Sequence, residues 1–331
     1  MSGAAAAAPP VVILSRSQVS ALMRPADYLD AVESGFRSLG EGAAQVPAPW
    51  HIEGEGGGFH GKGASLRLER LYVALKLNGN FPGNPGRGLP TIQGAILLCD
   101  GETGTPLAIM DSIEVTMRRT AAATAVAARH LARPDSATIL VCGCGDQAPA
   151  QLAALLGVLP LKQVLAWDRD RGRAERLSAG SLPVAALDDL PEAASKSDLI
   201  VTCTTARQPF LTAEMVRPGT FIAAVGADHP GKCEIDPALM ARALVVADSM
   251  DQCAVMGDLH HAIAAGTMRR SDVHAELAEV VTGARPGRTD TSQITLFDST
   301  GTAVQDVASA VVIYRRALAS GAGLRIALGQ S

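Results

Sequence analysis

The run Ala137-Thr-Ile-Leu-Val-Cys-Gly143-Cys-Gly145-Asp-Gln-Ala148 decides how this chain is read. Thr138 to Val141 is β-rich and apolar, two glycines follow at once, a helical pattern comes next, and Val164-Leu-Ala-Trp-Asp168 is a second apolar run. Gly143 permits a tight strand-to-helix turn, Gly145 lets the backbone approach a pyrophosphate, and Ala148 stands where helix and strand pack closely. Free N–H groups at the helix start can hold phosphates. Asp168, twenty residues beyond Ala148, is placed to accept hydrogen bonds from an adenosine ribose. A bare G-x-G-x-x-A is also a common glycine turn of α/β sheets, so the weight rests on the strand before, the helix after and the acid at twenty. The candidate contacts are Gly143, Gly145, Asp146, Gln147, Asp168 and Arg169. Asp168 repels a 2′-phosphate and favours NAD, whereas Arg169 and Arg171 could accept one; NAD is the reading taken and NADP the alternative.

At 331 residues the chain is long enough for two domains. A formal charge of −4 gives no reason to expect nucleic acid or an anionic membrane as partner, and 3 % aromatic residues argue against base-stacking platforms. No apolar run approaches the roughly 20 residues that span a bilayer. The opening Met1 to Pro10 lacks a basic segment and a proper apolar segment, so it reads as a disordered tail on a cytoplasmic protein. Six cysteines occur without C-x-x-C spacing and read as reduced core residues. Cys142-Gly-Cys144 likewise lacks C-x-x-C spacing and is not expected to hold a metal.

From about residue 11 to 118 the pattern is mixed. A helix runs from Ser17 to Leu39, interrupted near Pro25, followed by Gly-rich hairpin strands of which Leu71–Lys76, Gly94–Cys99 and Pro106–Met110 are clearest, with a turn at Asp100 to Gly104. Thr116 to Leu131 is Ala-rich and helical. Beyond it, strand candidates at 138–142, 164–168, 183–187, 198–203, 219–225 and 243–247 alternate with helices, which fits a doubly wound parallel sheet. One more strand, 292–298, and a final helix from about Val304 to Gly321 close the chain. The fold class is α/β: a Rossmann dinucleotide-binding domain over 119–304, and an α+β domain from 11–118 plus about 305–331.

Lys76 is the only charge in Val73-Ala-Leu-Lys-Leu-Asn78, and a lysine there should either reach water or meet an anion. Arg119 opens the Ala-rich helix on this reading, where its charge opposes the macrodipole and suits an anionic ligand better than its own helix. Two such cations would clamp a substrate carboxylate, although an ordinary salt bridge explains each alone. Asp228 closes the apolar run from Phe221; residues beyond the carboxyl ends of parallel strands face the ligand crevice, so it is placed for proton transfer, or else it is a turn aspartate. His60 and Lys62 fall two apart on a Gly-rich strand and share a face. Asp258, His260 and His261 hint at a metal, but nothing in their spacing supports one.

These residues, taken with several further segments, resemble the ornithine cyclodeaminase/μ-crystallin family over nearly the whole chain. The matching segments, in order, are Lys76-Leu-Asn-Gly-Asn-Phe-Pro-Gly-Asn84, Gly88-Leu-Pro-Thr91, Asp100 with Thr103-Gly104, Arg119-Thr-Ala-Ala, Leu131-Ala-Arg-Pro134, Gly143 with Gly145 and Gln147, Val225-Gly-Ala-Asp228 with Pro230-Gly-Lys232, and Phe297-Asp-Ser-Thr-Gly301. The resemblance implies a homodimer, with the first domain and the C-terminal helix forming the interface and the substrate half. It also implies carboxylate binding at Lys76 and Arg119, cofactor contacts near Thr91, Gln147 and Thr300, and acid/base chemistry at Asp228. Thr120, Thr204, Val225, Ala227 and Gly301 are further candidates for the cofactor, and Lys76 joins Asp228 as a catalytic candidate. Members divide between cyclodeaminases, which oxidise a diamino acid, cyclise it and reduce the imine with the same NAD, and reductases of imino acids, including alanine dehydrogenases.

Two departures bear on that choice. Where cyclodeaminases carry Glu-Leu-Met-Pro, this chain has Phe59-His-Gly-Lys62, so the distal ammonium of ornithine would face His60 and Lys62, which repel it. An arginine for the substrate carboxylate is missing, its neighbourhood reading Val46-Pro-Ala-Pro-Trp50; Lys62 replaces the charge on this reading and Trp50 packs on the substrate. The expectation is an NAD(P)-dependent oxidoreductase acting on the C=N of a small imino acid or on a 2-oxo acid plus ammonia. The alternatives are an ornithine or other diamino acid cyclodeaminase with catalytic NAD, and a non-catalytic NAD(P)H-binding protein.

Overall fold

A computed structural model describes residues 9–328. Most of the proposed tail, Met1–Pro10, therefore lies outside the described residues. The chain divides into two compact units, one made of residues 1–119 with 303–331 and the other of residues 120–302.

The first unit begins with β1 (Val11–Leu14), α1 (Arg16–Leu22) and α2 (Pro25–Gly40). Ser15 caps α1, and Pro25 starts α2 at its first turn, where its missing N–H costs nothing; the interruption expected near Pro25 separates two helices. Strands β2 (Ala44–Gln45), β3 (Trp50–Gly54), β4 (Gly57–Arg67), β5 (Leu71–Asn80), β6 (Ile92–Asp100) and β7 (Pro106–Asp111) follow, and α3 (Ser112–Leu131) runs from this unit into the next.

The second unit alternates β8 (Thr138–Cys142), α4 (Gln147–Leu156), β9 (Gln163–Trp167), α5 (Arg171–Arg176), β10 (Val184–Ala186), α6 (Leu190–Ser195), β11 (Leu199–Thr202) and β12 (Phe221–Ala224). It continues with α7 (Pro237–Arg242), β13 (Leu244–Ala247), α8 (Met250–Met256), α9 (Asp258–Ala264), β14 (Ala275–Glu276), α10 (Leu277–Thr282) and β15 (Thr295–Asp298). The chain then returns to the first unit as α11 (Ala303–Ser320) and β16 (Leu324–Ile326), which pairs antiparallel with β1.

The first sheet runs β16-β1-β7-β6-β5-β4-β2, with β3 on β4. Side-chain alternation along β5 buries Tyr72, Ala74 and Lys76 against α11 and leaves Leu75 and Leu77 about half exposed on the other face. The second sheet runs β10-β9-β8-β11-β12-β15-β13-β14, all parallel. Its strands are buried on both faces, which is why they read as continuous apolar runs. The order reverses between β8 and β11, and in such sheets ligands bind beyond the carboxyl ends of the strands at that point.

Four expectations change. The parallel sheet has eight strands rather than six: the late run becomes β15, inserted between β12 and β13, and β14 is too short to register as a pattern. Lys76 lies mid-strand, since β5 continues to Asn80 through Gly79. β12 ends at Ala224, so Asp228 stands four residues beyond the strand rather than closing it. α3 starts at Ser112, so Arg119 sits two turns into the helix and the macrodipole argument for its charge does not hold.

Candidate active site

In the first unit, β5, α3 and α11 bring three charged side chains together away from water. Lys76 Nζ lies 2.7 Å from Asp306 Oδ2, and Arg119 Nε lies 3.1 Å from Asp306 Oδ1. All three are at least 95 % buried. Lys76 also donates to Thr116 Oγ1 at 3.4 Å, and Arg119 Nη1 donates to Gln305 Oε1 at 3.0 Å. Gln305 Nε2 is a buried donor that finds no acceptor among the described residues. Burial first, and the Arg119 charge second, push the Lys76 ammonium down to about 7. Burial works to raise the Asp306 carboxyl, but the Lys76 and Arg119 charges overcome it and hold it below the usual carboxylate range. Two cations thus share one carboxylate, with a spare donor beside them.

The strand register adds to this cluster from β4. Lys62 stands directly opposite Lys76, and His60 opposite Asn78, so both share the Lys76 face, and the Lys62 charge weighs on both Lys76 and Asp306. The His60 ring packs on His51 at 4.4 Å between centroids. Trp50, by contrast, pairs with Gly61, one residue out of phase with Lys62, and lies on the opposite face; within this unit the register excludes it from the carboxylate cluster. Asp306 and Gln305 were missed by sequence reasoning. An acid in the first turn of a helix usually serves the helix dipole, and only its isolation in the apolar run from Ala303 to Tyr314 could have marked it.

In the second unit, Gly143 holds φ +91° at the end of β8, and a Cβ there would meet Cys203 O at 2.8 Å and Thr204 Cγ2 at 2.8 Å. The turn therefore needs glycine both for its backbone and for the closeness of the chain beyond β11. A Cβ on Gly145 would meet nothing within 4 Å, so this position opens to space. A cavity of about 570 Å³ lies alongside, lined by Cys144, Gly145, Asp146 and Pro149 on one side and by Arg173, Arg176, Leu177 and Ser178 on the other. Asp146 and Gln147 begin α4. Asp168 Oδ2 accepts from Cys144 N at 2.7 Å and Oδ1 from Asp170 N at 2.9 Å, so the carboxylate is fixed against the glycine loop. These residues fit a dinucleotide: an open glycine turn at the switch point, a helix start, arginines across the cavity and a fixed acid.

The other candidates are spread over both units. Thr204 donates both its N–H and its hydroxyl to Glu234 Oε1 at 2.7 Å. Val225 and Ala227 are buried in the loop after β12. Asp228, whose side chain is 55 % exposed, is ion-paired with Lys232 at 2.5 Å. Thr300 Oγ1 and Gly301 N donate to Asp248 at 3.0 and 2.6 Å. Thr120 lies on α3, and Thr91 precedes β6 in the first unit, its carbonyl accepting from Phe81 N at 2.8 Å. Asp258 and the two histidines hold backbone instead of sharing a ligand site: Asp258 Oδ1 accepts from Glu234 N and Ile235 N, and His261 Nε2 is 2.8 Å from Lys232 O. Among the described residues, no helix is long and apolar enough to cross a membrane.

The chain is similar to several proteins along nearly its full length. It is 39 % identical over 317 residues to the alanine dehydrogenase of Archaeoglobus fulgidus, covering 95 % of this chain and 98 % of that one. An archaeal alanine dehydrogenase dimer with bound NAD superposes with a TM-score of 0.91 at 38 % identity, over 96 % of this chain and 98 % of that chain. The Thermococcus litoralis Δ1-pyrroline-2-carboxylate reductase, in complex with NADH and L-proline, does so with a TM-score of 0.90 at 33 % identity, over 96 % of this chain and 100 % of that one. The profile of the ornithine cyclodeaminase/mu-crystallin family matches residues 10–321, nearly the whole chain, and the chain belongs to that family.

Proposed function

We propose that this protein is an NAD-dependent oxidoreductase that reduces the C=N bond of a small imino acid, or reductively aminates a 2-oxo acid, and runs in reverse at high pH. The observation that carries the reading is the buried cluster in which Lys76 and Arg119 share Asp306, with Lys62 on the same face. Buried charges without enough partners are costly, and a substrate carboxylate supplies the missing one. Arg119 and Lys62 hold that carboxylate. Lys76, brought to about 7, both holds it and exchanges a proton at working pH. Asp228, paired with Lys232, passes the proton that the nitrogen takes up. When bound, the nicotinamide cofactor supplies the hydride; the chain contributes orientation and charge. The same cations disfavour a second ammonium in the substrate, which sets the cyclodeaminase reading behind this one.

In this reading the first unit carries substrate binding and dimerisation, and the second is a Rossmann domain. Half-exposed Trp50, Ile52, Phe59, Leu75 and Leu77 make an apolar sheet face that a second copy would cover, which sedimentation equilibrium tests. Asp168, held in place by Cys144 N, favours NAD over NADP, and comparing NADH and NADPH affinities tests that choice. Free cysteines at all six positions suit a reducing, cytoplasmic setting, which fractionation of producing cells would check.

The deciding experiment follows NADH oxidation with pyruvate plus ammonia, oxaloacetate plus ammonia, and cyclic ketimines. Turnover of at least one is expected, and Arg119→Met should lower its kcat/KM by about 100-fold, the scale of one lost charge-assisted contact. No oxidation with any of them sinks the reading. Ammonia release from ornithine without net NADH change would establish the cyclodeaminase instead, and NADH binding without turnover a binding protein.

A further inference from the structure

We infer that Glu234 is a positioning residue for the cofactor half of the site, its carboxylate lacing the loop after β11 to the loop after β12 and so fixing the backbone that presents Thr204 and Asp228. Nothing in the reaction proposed above uses this side chain, yet it is fully buried, two residues from half-buried Lys232 and six from exposed Asp228. Oε1 accepts from Thr204 N and Thr204 Oγ1, both at 2.7 Å. Oε2 accepts from Thr202 Oγ1 at 2.7 Å and from Gly226 N at 2.8 Å. Gly226 is held so close that a Cβ there would lie 2.4 Å from Oε1, so the loop can pass the carboxylate only as glycine.

The four bonds use the acceptor capacity of an ionised carboxylate, which has no donor to offer. Each oxygen faces one backbone N–H, and that detail makes the site selective: an amide in either flip would set its NH2 group against an N–H that cannot turn away. Glu234 is itself anchored from below. Its N–H and that of Ile235 donate to Asp258 Oδ1 at 2.7 and 3.0 Å, and His261 Nε2 lies 2.8 Å from Lys232 O. The segment from Gly226 to Ile235, which includes Asp228, is thus tied at three points to interior groups.

The surroundings also make the lacing sensitive to protons. Burial first, and the Asp258 charge second, push Glu234 up to about 7. The groups facing it are Asp258 from α9, Cys142 at the end of β8, Cys203 after β11 and neighbouring Cys233; burial pushes each of these thiols up, so they stay neutral near pH 7. Protonating Glu234 turns one acceptor position into a donor, so cofactor affinity in the native protein should fall as pH drops through about 7.

This inference rests on the cofactor reading proposed above, and its test reads binding rather than turnover. For Glu234→Gln in the full chain, NADH affinity followed by fluorescence from pH 5.5 to 8.5 should weaken by about 10- to 100-fold at pH 8, the scale of one or two lost buried hydrogen bonds, and lose its dependence on pH. The KM for the imino acid, set in the first unit, should stay within about two-fold. Thr202→Val, which removes the hydroxyl donor to Oε2 and strands no N–H, should weaken NADH binding several-fold and covers the case in which the glutamine variant fails to fold. Native NADH affinity and an unchanged pH profile in the folded variants overturn the inference. Failure of the native protein to turn over any imino acid would sink the proposed reaction but leave these binding results to decide the role of Glu234.

Discussion

In the first unit two buried cations, Lys76 and Arg119, share the single carboxylate of Asp306, whereas in the second unit four buried carboxylates, those of Glu234, Asp248, Asp258 and Asp298, are met by backbone N–H groups and hydroxyls. Asp298 takes Asp258 N and Leu259 N, Asp248 takes Thr300 and Gly301, Asp258 takes Glu234 N and Ile235 N, and Glu234 takes four donors. Dipoles already in the chain compensate these acids, so they organise loops. The cations have more charge than their surroundings return, and they leave Gln305 Nε2 unused. A charge compensated from within is scaffold, and one compensated in part is poised for a ligand of opposite sign.

The largest test of that contrast is Asp306→Asn. Removing the one carboxylate leaves two buried cations facing an amide, a change of roughly 3–5 kcal/mol, which lowers Tm by roughly 6–20 °C and is read by calorimetry. A shift under 2 °C would mean the cluster is already compensated and not waiting for an anion. Next comes the pH profile of the reductive direction. Because Lys76 loses its proton through about 7, the native kcat/KM should fall about tenfold per pH unit above that, and Lys76→Arg, still charged there, should keep a flat profile at reduced rate. The same descending limb in the arginine variant would assign it to another group. The smallest effect is expected of Asp258→Asn. Its Oδ1 can keep both backbone donors as an amide oxygen while the NH2 replaces Oδ2, which has no partner among the described residues, so stability should change by less than about 1 kcal/mol. The charge lost beside Glu234 should carry the acid limb of NADH binding below its native position near 7. A loss as large as that of Asp306→Asn would erase the distinction between the two clusters.

Much of the second unit was legible because its signals are local. The apolar runs matched β8, β9, β10, β11, β12 and β13 within two residues, and Gly143, Gly145 and Asp168 fall together at the turn their spacing suggests. Lys76 and Arg119 were legible as charges out of place in apolar runs, and the structure brings them onto one carboxylate. Trp50 shows the limit of that reading: it ends the stretch where the family resemblance expects an arginine for the carboxylate, and a one-residue offset from Lys62 in the β3–β4 register puts its ring on the other face.

The sequence by itself determined the parallel α/β sheet, its glycine turn and the family, since these depend on apolar periodicity, turn chemistry and short segments that act through neighbours in the chain. Only the tertiary structure decided that α11 returns to the first unit with Asp306 and Gln305, that β15 lies inside the sheet, and that Glu234 joins two loops. Each of those depends on a partner 30 or more residues away in the chain, from Thr204 with Glu234 at 30 to Lys76 with Asp306 at 230, and a buried polar residue does not announce its partner until the fold has brought it there.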